Sequence, residues 1–551
     1  MAWEAAKSDL KSVLDGANAR LGKYPPTTLV LATVVGCYLL GKALRRLDVL
    51  ASRKGYRHLF FDVVTKLPII KQIKETEKRK VLVELRKTFQ KQDDPDDPSI
   101  RSLPNEGLPA RETLQRAISR KRMDVSWKDG ESRCSGTVYM DGKRHEMLVA
   151  DVYQSFVHAN PLHGDVWPSV VKMENEIVAM TASILGAGKL SEGRDVCGSM
   201  TSGGSESILC AVKASRDYME QQKGILWPEM IIAESAHAAF WKAAEYFRIK
   251  LHVLKVNEDY ILDAKTVRKY LNSSTVLVVA SAPSFPHGVV DDVVKIAGLA
   301  KSRGICCHVD CCLGGFCLPF VKELGYPVPP FDFSVDGVTS MSADTHKFGF
   351  APKGTSVVLY SSPDIRMHQW TSVVDWTGGL YISPSMAGSR PGALIAACWA
   401  SLLHLGKDGY MEATRKIMDG ADKLKEGVRN IDGLQIVGDP VMGCIAVMSN
   451  EVNIYAVGDM LKEHGWHVNV LQKPPAFHFC ITAANAEGIE SLLHDLEVAV
   501  ETVRKDPGLA SEGTAPIYGM ASAVPDRGAV EDILAAAQDM MSRLPALDHT
   551  K

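Results

Sequence analysis

The chain lacks a surplus of either charge: 63 Lys and Arg stand against 65 Asp and Glu, a formal net charge of −2. No global basic field exists to hold a polyanion, so nucleic acid is not an expected partner. It also lacks an internal repeat and any CxxC pair. Its 12 cysteines stand singly or in adjacent pairs such as Cys306-Cys307 and Cys311-Cys312. Adjacent pairs in a chain of 551 residues suit reduced thiols rather than a disulfide framework. A zinc site in "CCHVDCC" is disfavoured, because a strand sends neighbouring side chains to opposite faces, and no metal is expected.

Charge is missing altogether from Tyr24 to Gly41, "YPPTTLVLATVVGCYLLG". That length approaches the roughly 20 residues a helix needs to cross a bilayer core. Lys42, Arg45, Arg46, Arg53, Lys54 and Arg57 follow it. By the positive-inside rule they place the long C-terminal part in the cytosol and residues 1–23 across the membrane. A cleaved leader fits poorly behind so long a polar start; a buried core helix is the other reading. From Lys66 to Lys91 nine Lys or Arg face three Glu in a helix-like pattern. That stretch suits an anionic membrane surface or a solvated helix face equally well. "DDPDDPS", Asp93 to Ser99, reads as a linker.

What is present begins near Gly136. Apolar runs alternate with helical stretches: "MIIAES" at 230, "STVLVVASAP" at 274, "GICCHVD" at 304, "GVTSMSAD" at 337 and "TSVVLYS" from 355. Continuous apolar strands between helices predict an α/β fold with a mainly parallel sheet covered on both faces. After about Asp408 a smaller α+β unit is expected, with strands in "CIAVMS" and "HFCITAA", and an amphipathic helix at "AVEDILAAAQDMMSRL". The expected divisions are 1–23, a transmembrane helix at 24–44, a basic helical extension at 45–135, a large domain at 136–407 and a small domain with its tail at 408–551.

In parallel sheets, ligands gather beyond the carboxyl ends of the strands. Four segments put polar residues there. "MTSGGSES", Met200 to Ser207, runs a Gly-Gly turn into a helix, which makes either a phosphate cradle or an ordinary cap. "AESAHAAF" offers His237, a flat ring or a packed histidine. "HVDCCLGGF" ends on Asp310, whose carboxylate needs a cation: a neighbouring basic side chain or a protonated pyridine nitrogen. "SADTHKFGFAPKG" carries Lys347, an amine expected to lose water and with it its proton. Together they supply what pyridoxal phosphate requires: an anion site, a stacking surface, a partner for the ring nitrogen and a Schiff-base lysine.

"HVDCCLGGF" and "SADTHKFGFAPKG" resemble the signature of fold-type I pyridoxal phosphate enzymes of the group II decarboxylase superfamily. "NPLHGDVWPSVVKMENEIVAM" at 160, "TSGGSESI" at 201 and "SMAGSRPG" at 385 are similar to the sphingosine-1-phosphate lyase family, as is the order of one membrane segment, a basic helical stretch and a catalytic region. The family form more usually has Ala at Cys311, Thr at Ser205 and Tyr at Phe348. The resemblance implies that Lys347 bonds covalently to the cofactor, that Asp310 keeps its ring nitrogen protonated and that His237 stacks on the ring. It further implies that Gly204, Ser205 and His346 bind the cofactor phosphate, with Ser389 reaching it from a second subunit of a homodimer. Tyr139, Asn160, His163 and Lys353 match positions near the substrate head group. The implied reaction is retro-aldol cleavage of a phosphorylated sphingoid base to phosphoethanolamine and a long-chain aldehyde, at an endoplasmic reticulum membrane. An amino-acid decarboxylase of the same superfamily and an inactive membrane-anchored scaffold are the alternatives.

Overall fold

The computed structural model describes residues 26–54, 100, 102–125, 132–140, 142–189, 195–511 and 527–542. The N-terminal 23 residues, the basic stretch Lys66 to Lys91 and the linker Asp93 to Ser99 lie outside them. Seven strands form the main sheet: β1 (Cys197–Thr201), β2 (Glu229–Ala233), β3 (Lys250–Leu254), β4 (Thr275–Ser281), β5 (Cys306–Asp310), β6 (Ser340–Ala343) and β7 (Ser356–Tyr360). Their spatial order is β1-β7-β6-β5-β4-β2-β3. β3, β2, β4, β5 and β6 run parallel, and β7 alone is reversed between β6 and β1. Each apolar run singled out above thus becomes a strand. β4 is buried along its whole length, as a strand covered on both faces must be.

A hairpin of β8 (Thr371–Val373) and β9 (Tyr381–Ser383) stands apart from this sheet. The smaller antiparallel sheet holds β10 (Leu434–Ile436), β11 (Cys444–Ser449), β12 (Asn469–Gln472) and β13 (Pro475–Cys480), ordered β10-β11-β13-β12. One helix, Gly392–Asn430, links the two sheets and bends where Gly406 takes φ 55°. The C-terminal helix is seen at Arg527–Ser542.

The helix Pro26–Lys54 packs against β3 at the sheet's edge. Arg45 pairs with Glu229 at 3.0 Å, Asp48 with Lys250 at 2.6 Å, and the Leu251 amide donates to Ser52 Oγ at 3.0 Å. Glu229 is buried, which alone would raise its pKa; His252, Asn272 and Lys250 outweigh that and hold it down at about 2. Among the described residues no helix is long and apolar enough to cross a membrane, so the span expected at 24–44 is not shown.

Candidate active site

The carboxyl ends of β1, β2, β5 and β6 meet at one edge of the sheet, because these strands share a direction while β7 does not. β5 ends on Asp310, which pairs in register with Ser342 of β6. The first residues beyond β6 are Asp344, Thr345, His346 and Lys347. Asp310 is buried; its Oδ1 accepts from the Cys312 amide at 3.0 Å and from Ser342 Oγ at 3.2 Å. Burial alone would raise its pKa, but His237, His308 and the Cys312 amide outweigh this and hold it below the usual range. Among the described residues Asp310 makes no ion pair, so of the two cations open to it from sequence the basic side chain is not found.

Lys347 Nζ lies 2.9 Å from Asp344 Oδ2. Here the structure corrects the sequence expectation. Burial does favour the neutral amine, but the Asp344 carboxylate more than offsets it, with a further push from Asp310, and Lys347 is held well above its ordinary value. Asp344 is the residue that sequence reasoning missed. The signal was present: an acid directly after a buried strand needs a cation, and the lysine three residues on supplies it.

Around this pair sit three buried polar atoms without a hydrogen-bond partner, Asp344 Oδ1, Thr345 Oγ1 and His346 Nδ1. The Gly203-Gly204 turn closes over them. A Cβ at Gly204 would come within 2.8 Å of Asp344 Oδ1 and of Cys312 Sγ, so only glycine allows this approach. The helix Gly204–Lys223 has no side-chain cap, which leaves its first-turn amides, with the exposed Ser205, facing outward. His237 follows β2; its Nδ1 accepts from the Ala239 amide at 3.2 Å and its ring stands edge-to-face with Phe285.

A second group forms around Tyr139. Lys353 Nζ lies 4.5 Å from the Tyr139 ring centroid and donates to the His346 carbonyl at 3.3 Å. Desolvation and the nearby Lys347 charge push its amine down to about 8. Tyr139 is fixed from the small sheet. Residues 132–139 are laced to it: Ser135 Oγ receives the Cys480 amide and Asn469 Nδ2 at 2.8 Å each, and Thr482 Oγ1 donates to the Val138 carbonyl at 2.8 Å. Nothing in the residue pattern of that segment announced this tether.

Asn160 and Ser389, distant in sequence, are brought together within one chain, with Asn160 Nδ2 donating to Ser389 Oγ at 3.1 Å. Ser389 shares a small cleft with Ser202 and Gly354, next to the Gly-Gly turn and Lys353. Glu174, buried, anchors Arg390 at 2.6 Å beside them. His163 is exposed, and among the described residues its side chain makes no hydrogen bond or ion pair.

The family model for the pyridoxal-dependent decarboxylase conserved domain matches residues 128–449. Among curated relatives, a sphingosine-1-phosphate lyase of Arabidopsis thaliana is 44% identical over 546 residues, covering 98% of each chain. One of Rattus norvegicus is 41% identical, covering 95% of this chain and 91% of the relative. The solved structure of a Burkholderia pseudomallei sphingosine-1-phosphate lyase superposes with a TM-score of 0.75 at 35% identity, over 81% of this chain and 98% of that one. The chain belongs to the sphingosine-1-phosphate lyase family, within the pyridoxal-dependent decarboxylases.

Its cofactor is therefore pyridoxal 5′-phosphate, and the residues present fit it. A buried carboxylate without a cation suits a protonated ring nitrogen. The unpartnered His346 Nδ1 and the uncapped helix amides at the Gly203-Gly204 turn suit a phosphorylated group beside Lys347.

Proposed function

We propose that this enzyme cleaves the C2–C3 bond of phosphorylated sphingoid bases, releasing phosphoethanolamine and a long-chain aldehyde. The observation that carries the reading is the buried, ion-pair-free Asp310 at the same strand edge as the Lys347 amine. Pyridoxal phosphate, when bound, supplies an aldehyde for covalent capture of the substrate amine and an electron-accepting ring for the broken bond.

Asp310 keeps a proton at the ring nitrogen. It can do so because its own pKa is held down and its Oδ1 is fixed by Cys312 and Ser342. His237 would lie against the cofactor ring. Gly204, Ser205 and His346 would hold the cofactor phosphate, joined by Ser389. Lys347 would anchor the cofactor, and Asp344 stabilises a proton at its Nζ. Lys353 and Tyr139, with Asn160 and His163, receive the phosphate of the substrate. Lys353 suits that role because its loop position beside Tyr139 puts a cation six residues beyond Lys347.

Two further readings belong to the same proposal. The enzyme is a homodimer. The β8–β9 hairpin and its turn expose Val374, Trp376, Leu380 and Ile382, an apolar surface continuous with the Ser389 segment that a second copy would cover. The chain is anchored by a single span beginning near Tyr24, in the endoplasmic reticulum membrane with the catalytic sheet in the cytosol. The uncharged run, the basic residues behind it and the exposed Val34, Val35, Tyr38, Leu39 and Leu40 support this.

One incubation of the purified protein with a phosphorylated long-chain base tests the chemistry. Phosphoethanolamine and aldehyde in equal amounts are expected. Carbon dioxide release from amino acids without aldehyde would overturn the reading in favour of a decarboxylase. A protein that takes up no pyridoxal phosphate would point to a scaffold.

A further inference from the structure

A cavity of about 1000 Å³ opens where the helix Pro26–Lys54 meets the edge of the main sheet. Lys42, Arg46 and Arg248 line it, together with Leu39, Val49 and Trp227. Arg45 lines it too, but is held back by Glu229 at 3.0 Å and by the Trp227 carbonyl at 3.2 Å. The carboxylates nearest this wall already have partners. Glu229 takes His252 at 2.7 Å and Asn272 at 2.8 Å in addition to Arg45, and Asp48 takes Lys250. Among the described residues Lys42, Arg46 and Arg248 form no ion pair, and all three are exposed. Lys42 Nζ lies over the Tyr38 ring, 5.1 Å from its centroid.

Arg248 carries a second, independent sign. It follows the helix Ala239–Tyr246 with φ 58°, the left-handed conformation in which glycine is usual at a helix end. A cation, not a glycine, occupies that turn and faces the cavity. Trp227 in the lining is exposed by 48%, and Leu226 and Tyr246, close in sequence to the lining residues Trp227 and Arg248, by 69% and 60%. Exposed aromatic and aliphatic side chains beside unpaired cations make the arrangement found where a protein meets a bilayer surface.

We propose that this cavity binds the headgroup of an anionic glycerophospholipid. Lys42, Arg46 and Arg248 contact its phosphate, Trp227 sits at the level of the glycerol, and the acyl chains run beside Leu39. The proposal rests on the membrane-anchored reading above, since Leu39 of the uncharged run and Lys42 just after it both line the cavity. It gives the enzyme a fixed orientation at the lipid surface, set by a site separate from the chemistry.

The full chain, purified with its cofactor in a neutral detergent, is titrated with dioctanoyl phosphatidic acid while tryptophan emission is followed. Saturable binding is expected, with a signal that Trp227→Phe removes. In the triple variant Lys42→Gln, Arg46→Gln, Arg248→Gln, binding should weaken roughly tenfold or more, since each basic residue near a lipid phosphate contributes separately. Retained cofactor absorbance and turnover of a soluble short-chain substrate show that this variant is folded; if they are lost, Arg248→Gln alone is read. Equal affinity for dioctanoyl phosphatidylcholine, equal competition by inorganic phosphate, or undiminished binding in the variant would each overturn the proposal. Protease protection of a tag placed before Tyr24 in sealed microsomes tests the span by itself. Loss of protection with intact phosphatidic acid binding would remove the anchor and leave the site.

Discussion

Replacing Asp344 by Asn should make Lys347 a faster trap for an aldehyde. Its amine lies 2.9 Å from the Asp344 carboxylate. At an effective dielectric of about 20, two unit charges at that separation attract by about 6 kcal/mol. Each 1.4 kcal/mol is a tenfold change in the protonation equilibrium, so the pair could favour the ammonium by about four powers of ten. Burial acts the other way and takes part of this back. Asparagine keeps the shape and a hydrogen-bond acceptor but removes the charge, leaving burial to favour the neutral amine. A rise of about 100-fold in the rate at which pyridoxal phosphate is captured at neutral pH is a conservative expectation. Stopped-flow absorbance from pH 6.5 to 9 would measure it. Removal of a carboxylate also favours an anionic ligand in general, so the pH profile is the diagnostic readout: the limb set by amine deprotonation must move to lower pH. Capture that keeps the wild-type profile, or that slows at every pH, would refute the argument that Asp344 governs Lys347.

Three more outcomes follow from the same geometry. Glu229→Gln should lower stability by roughly 2–3 kcal/mol at pH 7; because the folded pKa is depressed from 4.5 to about 2, the wild-type advantage is complete above pH 4.5 and fades as pH falls towards 2, which thermal unfolding across that window would show. Lys353→Met should raise KM for the phosphorylated substrate about tenfold or more with a much smaller change in kcat, as expected for loss of a charged contact to a non-reacting group; steady-state kinetics decide it. Gly204→Ala should weaken cofactor affinity roughly tenfold, because its Cβ meets Asp344 and Cys312 at 2.8 Å and must displace the acid that holds Lys347; titration of the cofactor-free protein measures the loss.

Much of the fold was legible because a parallel sheet buried on both faces leaves a simple trace. The runs at Met230, Thr275, Cys306, Ser340 and Ser356 are apolar nearly throughout, and each is a strand. β1, "CGSMT", and β3, "KLHVL", escaped notice since both lie at the sheet's margins, where polar residues are tolerated. The helix Gly392–Asn430 runs on past residue 407, and its bend at Gly406 reads in sequence as an end. Asp310 and Lys347 stand out in the sequence because a charge at a strand end has few uses. The tether of residues 132–139 could not, as it is made by backbone groups and by Ser135, Asn469 and Thr482, residue types that occur on any surface. The protonation of Lys347 was misjudged for a related reason: burial is written in the flanking apolar residues, whereas a 2.9 Å neighbour across a turn depends on geometry.

The helix Pro26–Lys54 also guards an open flank. β3 is the outermost strand, and its free side would offer a row of unpaired backbone groups to any extended chain nearby. Ser52 takes the Leu251 amide, and Asp48 pairs with Lys250 at the start of the strand, beside the Arg45–Glu229 pair. A shortened protein begun after residue 54, made to gain solubility by shedding the greasy N-terminus, would bare this flank and invite self-association by strand addition. The solubilising cut belongs upstream of Arg45, where the apolar run goes and the shield stays.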